Sequence, residues 1–161
     1  MRRRRPHPDR PRHRVAQRQR RGEHRPLRGR PGARLIPGTA ARLGLEPHPE
    51  GGWYRRTWTA PATVGGRPAA SAILFLLAPG ERSAWHAVDA DELWLWHGPG
   101  ELPLLLAPAP AADPERRVLG RDVVQVLVPA GTWQATEPAG TEVLVTCVVS
   151  PGFEWSGFRL A

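Results

Sequence analysis

The chain of 161 residues contains no lysine, and all 23 of its basic residues are arginines. This absence excludes a P-loop lysine, a Schiff-base lysine and a lysine general base from any mechanism. The single cysteine, Cys147, excludes an intrachain disulfide and a cysteine-rich zinc site. Because disulfides are rare in reducing compartments, the cysteine content leads us to expect a cytoplasmic protein.

Long apolar runs are also missing. The longest, AILFLLA at 72–78, is far shorter than the ~20 residues that a membrane-spanning helix needs. Residues 1–34 lack the apolar stretch of a signal peptide, and the first serine is Ser71, whereas transit peptides are rich in serine. We therefore expect no membrane span and no targeting segment.

Positive charge is concentrated at the N-terminus. Residues 1–34 carry 14 arginines and two acids, whereas residues 35–161 carry nine arginines and 13 acids. The first segment is rich in Arg and Pro and has few aliphatic side chains to bury, which predicts a disordered tail. Its charge suits an anionic surface or a nucleic acid, but it lacks the aromatic residues that stack on bases. A solvated tail and a mis-assigned translation start are the alternative interpretations, and we expect no nucleic-acid binding outside this tail.

Residues 35–161 are predicted to form one all-β domain. Short apolar-rich runs recur about every 8–12 residues and are separated by turn pairs such as Pro79-Gly80 and Pro151-Gly152. About ten short strands without a long helical pattern are typical of a sandwich or a barrel. One short helix is predicted within 37–45, before the first strand, with Thr39 as its N-cap and Gly44 at its end.

The stretch PGERSAWHAVDADELWLWHG at 79–98 combines a histidine and a carboxylate at a defined spacing. Gly80 is followed after five residues by His86, and Glu92 lies six positions beyond His86. Further on, PAGTWQ at 129–134 places Gln134 behind a Pro-x-Gly turn. This spacing resembles the two sequence motifs of the cupin superfamily, with Val88 and Gln134 at two positions where those motifs have histidine.

Four longer segments resemble the type-5 cupins, a family of small bacterial and fungal proteins. They are LGLEPHPEGGWYRRTW, SAWHAVDADELWLWHG, VPAGTWQA and CVVSPGFEWSGF, and the resemblance covers about residues 41–161. One departure is Arg56, where the family usually has an acidic or amide residue. The resemblance implies a double-stranded β-helix, the cupin jelly roll, with a ligand cavity in the mouth of the barrel and commonly a homodimer.

Strand alternation predicts which side chains of the motifs face the cavity. Because successive side chains point to opposite faces, Leu93, Leu95 and His97 are expected to point outward. The predicted inward set is His86, Val88, Glu92, Trp94, Trp96, Thr132 and Gln134. An apolar, aromatic pocket with a few polar groups is the usual composition of a small-molecule site.

The same residues bear on metal binding. Val88 cannot ligate a metal, and Gln134 offers only a neutral amide oxygen, so His86 and Glu92 remain as the two good ligands. Catalytic zinc usually keeps three protein ligands, and non-haem iron takes two histidines and a carboxylate. The sequence identifies no cofactor with certainty and leaves a divalent metal open; if one binds, it is expected at His86, Glu92 and Gln134.

Without a metal, His86 and Glu92 are predicted to act as an acid–base pair. Burial between tryptophans raises the pKa of a glutamate, and histidine titrates near neutrality. The HPEGGWYRR stretch at 48–56 is predicted to form one wall of the pocket, with Tyr54 as a proton donor. In that wall His48, Glu50 and Arg55 are further ligand-binding candidates, Arg55 as an anion clamp; the alternative is a turn into the first strand with Arg55 on the surface.

The sequence therefore favours a protein that binds a small polar or aromatic molecule and that performs metal-free proton transfer, as in isomerases and epimerases, if it is an enzyme. Two alternatives remain open. One is a metal-dependent cupin enzyme such as a dioxygenase, and the other is a non-catalytic structural or regulatory dimer. The motifs do not identify the ligand, because one fold carries many functions.

Overall fold

A computed structural model describes residues 35–110 and 112–161, so the predicted tail at 1–34 lies outside the described residues. The described part begins with α1 (Gly38–Leu43), which ends at Gly44 in the left-handed conformation with φ of 63°. The C-terminal cap is therefore as predicted. The N-terminal cap is not Thr39, because the cap position is Pro37. Thr39 Oγ1 instead donates a hydrogen bond of 2.7 Å to Glu142 Oε1, which attaches the helix to the sheet.

Thirteen strands follow among the described residues, in agreement with the all-β prediction. Their bounds are β1 Glu46–Pro47, β2 Trp53–Thr59, β3 Thr63–Val64, β4 Arg67–Pro68, β5 Ser71–Leu77, β6 His86–Val88, β7 Asp91–Pro99, β8 Leu102–Ala107, β9 Glu115–Leu119, β10 Gln125–Val128, β11 Trp133–Thr136, β12 Val143–Ser150 and β13 Phe158–Leu160. A single 3-10 turn, Trp155–Gly157, precedes the last strand. No helix in this part of the chain is long and apolar enough to cross a membrane.

The strands form two antiparallel sheets and a small hairpin. The larger sheet has the order β1-β2-β5-β12-β7-β10, the smaller one has the order β13-β6-β11-β8-β9, and β3 pairs with β4. Two antiparallel sheets with these long-range crossovers form the jelly roll that the sequence predicts.

The apolar core fills one part of the interior. Along β12 the burial alternates strictly, so that Val143, Val145, Cys147 and Val149 face inward. The main cluster packs Val143 and Val145 against leucines of β8 and β9, including Leu104 and Leu119. Further along β12, Cys147, which also belongs to this cluster, and Val149 line a cavity. The interior is thus packed toward one end of the strands and open toward the other.

A second cluster lies beneath α1 and fixes the chain where it enters the sheet. Ala40 and Leu45 pack on Trp53 and Leu76, and all four are buried. At about 25 cal/mol per Å² of apolar surface, burying a side chain such as Leu76 contributes roughly 2 kcal/mol. This packing positions the segment from β1 to β2, which carries one wall of the cavity.

Candidate functional site

The open end of the jelly roll holds a cavity of about 420 Å³. Two histidines and two glutamates among its lining side chains are almost inaccessible to solvent: His48, Glu50, His86 and Glu92. Rings from β2, β5 and the C-terminal segment form its walls, and exposed charged side chains surround its opening. Isolated buried polar groups are costly, so their mutual contacts decide what the site can do.

His86 lies on β6 at the base of the cavity. Its Nδ1 lies 2.8 Å from the carbonyl oxygen of Ala84, and a carbonyl can only accept, so we assign the ring proton of the neutral imidazole to Nδ1. The Nε2 lies 3.2 Å from Oε2 of Glu50. The ring stacks on Phe158 with 5.6 Å between centroids. His86 therefore presents an unprotonated Nε2 to a carboxyl oxygen.

Glu50 is held from two sides. Its Oε1 accepts a 3.0 Å hydrogen bond from the hydroxyl of Ser83, and its Oε2 faces His86 Nε2. Because the Nδ1 proton is already donated to Ala84, the Nε2 to Oε2 contact contains one proton, on either the carboxyl or the imidazole. Desolvation raises the pKa of Glu50 to about 8, against the opposing hydrogen bond from Ser83. Burial likewise lowers the pKa of His86, although the Glu92 charge opposes this shift. Both shifts place the shared proton on Glu50 at neutral pH.

The loop before β2 brings Glu50 to this position. Gly51 and Gly52 both have positive φ, 109° and 70°. A Cβ atom on Gly52 would lie 2.7 Å from the carbonyl oxygen of Leu76, so only glycine fits there. The carbonyl oxygen of Glu50 also accepts a 2.7 Å hydrogen bond from the Ala84 amide. The loop is thus attached to the segment that carries His86.

Glu92, on β7, is the second buried carboxyl. It accepts a hydrogen bond from the side-chain amide of Gln134, whose Oε1 accepts a 3.0 Å bond from the Trp94 indole. Desolvation raises the pKa of Glu92, the Glu50 charge adds to this rise, and His86, Gln134 and the Cys147 thiol oppose it. The indole fixes the orientation of the Gln134 amide, so its NH₂ group points to the carboxyl.

His48 completes the polar group at the base. Its Nδ1 accepts a 3.3 Å hydrogen bond from the backbone amide of Glu50, so its ring proton resides on Nε2. Desolvation and the nearby His86 lower the pKa of His48 to about 3. The ring packs edge-on against Tyr54 at 4.5 Å and is stacked with Trp155 at 5.7 Å. At neutral pH His48 is therefore an uncharged donor among rings.

Charged and phenolic groups occur at the opening. Tyr54 is half-buried, and desolvation, followed by Glu46, raises its pKa. Arg56 is exposed, and its guanidinium donates a 3.2 Å hydrogen bond to the carbonyl oxygen of Phe153. Glu154 is also exposed and lines the cavity.

The structure brings five of the predicted site residues into one cavity, namely His86, Glu92, Tyr54, His48 and Glu50. The predicted partner of His86 was Glu92, but the carboxylate within hydrogen-bond distance of its Nε2 is that of Glu50. Sequence spacing suggested Glu92, which lies six positions from His86. Glu50 lies 36 positions from His86, and only the fold brings these two residues into contact.

Other predicted residues lie outside the lining. Gln134 is buried behind Glu92, Trp94 belongs to the main core cluster, and Trp96 packs against that cluster and donates to the carbonyl oxygen of Gly100. Thr132 is half-buried and precedes β11, outside the cavity. His97 is exposed, as alternation predicted, and bonds to Thr146.

Arg55 is exposed and does not line the cavity, whereas its neighbour Arg56 does. Tyr54 and Arg56 share one face of β2, so period-two alternation from Tyr54 would have identified Arg56. The aromatic wall residues Phe153, Trp155 and Phe158 were missed. Their spacing is irregular because a 3-10 turn lies between Phe153 and β13.

The side chains present do not fit the ligand set of a cupin metal centre. Among the described residues, no group of three or more His, Cys, Asp or Glu side chains is arranged to hold a metal ion. Val88 occupies one ligand position, and Gln134 at another is bonded to Glu92 and Trp94.

Two facing antiparallel sheets that enclose a cavity with histidine and glutamate at its base define the protein as a cupin. The family model "Cupin superfamily (DUF985)" matches residues 38–161, and the chain belongs to this family. A comparison with curated proteins finds no match.

Solved structures agree with this assignment. A protein from Shewanella oneidensis is 33% identical, with a TM-score of 0.69, over 76% of this chain and 82% of that one. A hypothetical protein from Leishmania major is 28% identical, with a TM-score of 0.68, over 76% of this chain and 84% of that one. A variant of oxalate decarboxylase from Bacillus subtilis is 14% identical, with a TM-score of 0.57, over 71% of this chain and 29% of that one, and this likeness concerns the fold alone.

Proposed function

We propose that this cupin binds a small molecule in its cavity and transfers protons on it without a metal, in the manner of an isomerase or epimerase. One observation carries the proposal: the buried Glu50 carboxyl lies 3.2 Å from Nε2 of the buried His86 imidazole in a ring-walled cavity, close enough to share a proton. Groups with strongly shifted pKa values inside a cavity are characteristic of acid–base sites.

The pair has one acid and one base in the neutral state. Glu50 can donate its proton to a carbonyl oxygen of the ligand while His86 Nε2 accepts a proton from the adjacent carbon. The products of this step are an enol, a Glu50 carboxylate and a His86 imidazolium, so protons and charge balance. In an enediol, the His86 imidazolium then gives its proton to the former carbonyl carbon, and the Glu50 carboxylate takes the proton of the other hydroxyl group. This completes an isomerisation and restores both groups. Glu92 lies near both groups, and Tyr54 supplies a further hydroxyl at the opening.

Binding and chemistry are tested separately. A thermal-shift screen of small aldehydes, ketones and keto sugars identifies ligands, because a ligand that binds only the folded state raises its stability. Each ligand is then incubated with the protein in D₂O, and NMR follows the exchange of the C–H protons next to the carbonyl group. We expect exchange with the parent protein, a loss of about 10²-fold or more with Glu50→Gln, and an unchanged rate with Glu101→Gln, an exposed carboxyl outside the cavity.

Three results separate the alternatives. Exchange that survives treatment with a chelator supports metal-free transfer. Exchange that is lost on chelation and restored by a divalent metal would establish the metal-dependent alternative. Ligand binding that is equal in the parent and in the Glu50→Gln and His86→Ala variants, without any exchange, would establish a non-catalytic binding protein.

A further inference from the structure

Carboxyl groups are the most frequent ionisable groups of the cavity. Among the described residues, four carboxyl groups line it, those of Glu46, Glu50, Glu92 and Glu154, against one guanidinium, that of Arg56. The guanidinium is exposed at the opening and already donates to a backbone carbonyl. Both histidines of the lining are uncharged near neutral pH, because burial lowers their pKa values. The field inside the cavity is therefore negative wherever these carboxyls ionise.

The walls add five aromatic rings, those of Tyr54, Phe75, Phe153, Trp155 and Phe158. Trp155 is packed edge-to-face against Phe153 at 5.0 Å and against Phe158 at 5.5 Å, with interplanar angles of 87° and 81°. In each of these contacts the edge of one ring packs on the face of the other, so the three rings form one cluster in the cavity wall. The faces of aromatic rings carry partial negative charge and attract cations, most strongly those with quaternary ammonium groups.

We propose that the ligand of this cavity carries an ammonium group, which contacts the rings of Phe153, Trp155 and Phe158 while cavity carboxylates balance its charge. The inference rests on the proposed small-molecule site and specifies the class of molecule that it accepts. A cation gains from both the ring faces and the carboxylates, at a site partly shielded from water where Coulomb attraction is strong.

The same inventory disfavours an anionic ligand. A carboxylate or a phosphate at the base would be placed beside Glu50 and Glu92, and the only arginine of the lining is at the opening. Protonation of both carboxyls would remove the repulsion and supply hydrogen-bond donors, but no positive charge would face the anion at the base. An uncharged ligand of the same shape would keep its apolar contacts and lose the attraction between the cation and the rings.

Three molecules of nearly equal shape provide the test: choline, its uncharged carbon isostere 3,3-dimethylbutan-1-ol, and the anion 3,3-dimethylbutanoate. Isothermal titration calorimetry at pH 8 measures each affinity for the full chain. We expect choline to bind about tenfold or more tightly than the alcohol, and the anion to bind most weakly.

Two variants test which side chains produce the preference for choline over the alcohol. Phe158→Leu keeps apolar volume and removes a ring face, and Glu154→Gln removes a charge from an exposed side chain without altering the core. Both variants should bind choline severalfold more weakly and bind the alcohol as the parent does. Glu101→Gln, outside the cavity, should change neither affinity. Equal weakening of choline and the alcohol by Phe158→Leu would contradict the role of the ring face.

Equal or tighter binding of the alcohol or the anion would overturn the ammonium inference while leaving small-molecule binding intact. Failure of all three probes to bind would overturn it as well. That result would not touch the proton-transfer proposal, which is decided by the screen of carbonyl compounds and the exchange measurement in D₂O.

Discussion

The buried Glu50 should make the protein lose stability as the pH rises through neutrality. Its pKa is about 8 in the folded protein against an ordinary value of 4.5, so between these values the folded chain binds a proton that the unfolded chain does not. Stability then decreases with pH by about 1.4 kcal/mol per unit for each such group. The decrease ends above the folded-state pKa, where both states have lost the proton.

At lower pH, His48 contributes to the pH dependence of stability with the opposite sign. Its pKa is about 3 in the folded protein against an ordinary 6.5, so in that range the unfolded chain binds the extra proton and stability rises with pH. The two slopes cancel between about pH 4.5 and 6.5, which leaves a plateau. From pH 6.5 to 8 only the carboxyl slope remains, and it amounts to about 2 kcal/mol. The raised pKa of Glu92, like that of Glu50, makes stability decrease as the pH rises.

Urea unfolding followed by tryptophan fluorescence, at intervals from pH 4 to 9, measures this profile. We expect a plateau between about pH 4.5 and 6.5, a decline of about 2 kcal/mol or more by pH 8, and a clearly shallower decline in Glu50→Gln. Glu101→Gln, which removes an exposed carboxyl, should reproduce the parent profile. A stability that is constant or rising from pH 6.5 to 8, or an identical slope in Glu50→Gln, would refute the assignment of a protonated, buried Glu50.

Three further predictions follow from the described contacts. Gln134→Ala should reduce stability by about 1–3 kcal/mol in thermal or urea unfolding, because it removes the amide donor to the buried Glu92, and Gln134→Glu should not restore it. Gly52→Ala should lower the free energy of unfolding by clearly more than Gly131→Ala, for which we expect about 1–2 kcal/mol. Both glycines have positive φ, but only Gly52 faces backbone and side-chain atoms within 3 Å, and equal losses would show that this crowding is unimportant. Cys147 is buried with a raised pKa, so a thiol reagent should label it slowly in the native protein and rapidly in urea, and rapid native labelling would contradict its placement.

The all-β class was predictable because its signals are local, whereas the jelly roll came from the family resemblance. Short apolar runs such as 143–150, with Pro and Gly between the runs, indicate strands without any knowledge of their partners. Gly44 as the helix end was also predictable, since a left-handed residue favours glycine. Thr39 was mistaken for a cap because a hydroxyl near a helix start has several possible partners, and here Glu142 is the partner.

The site was predictable only in part. Alternation identifies which face of a strand is buried, and it correctly placed His86 and Glu92 in the interior. It does not give the position of a residue along the barrel. Trp94 faces inward like Glu92 and yet belongs to the packed core, two residues further from the open end. The contact between Glu50 and His86 depends on a glycine loop and on long-range pairing, which no local pattern encodes.

The C-terminal segment of the chain has a consequence for how this cupin can be altered. Residues 153–160 supply three rings of the cavity wall, and β13 attaches to the sheet through β6, where Leu160 pairs with His86. None of these three rings lies on a strand of the larger sheet. Exchange of Phe153 and Trp155 would therefore alter the cavity wall with β6 and its His86 in place, whereas exchange of Phe158 would also remove the ring that stacks on His86. A partner protein fused after residue 161 would be joined directly to the segment that forms the cavity wall.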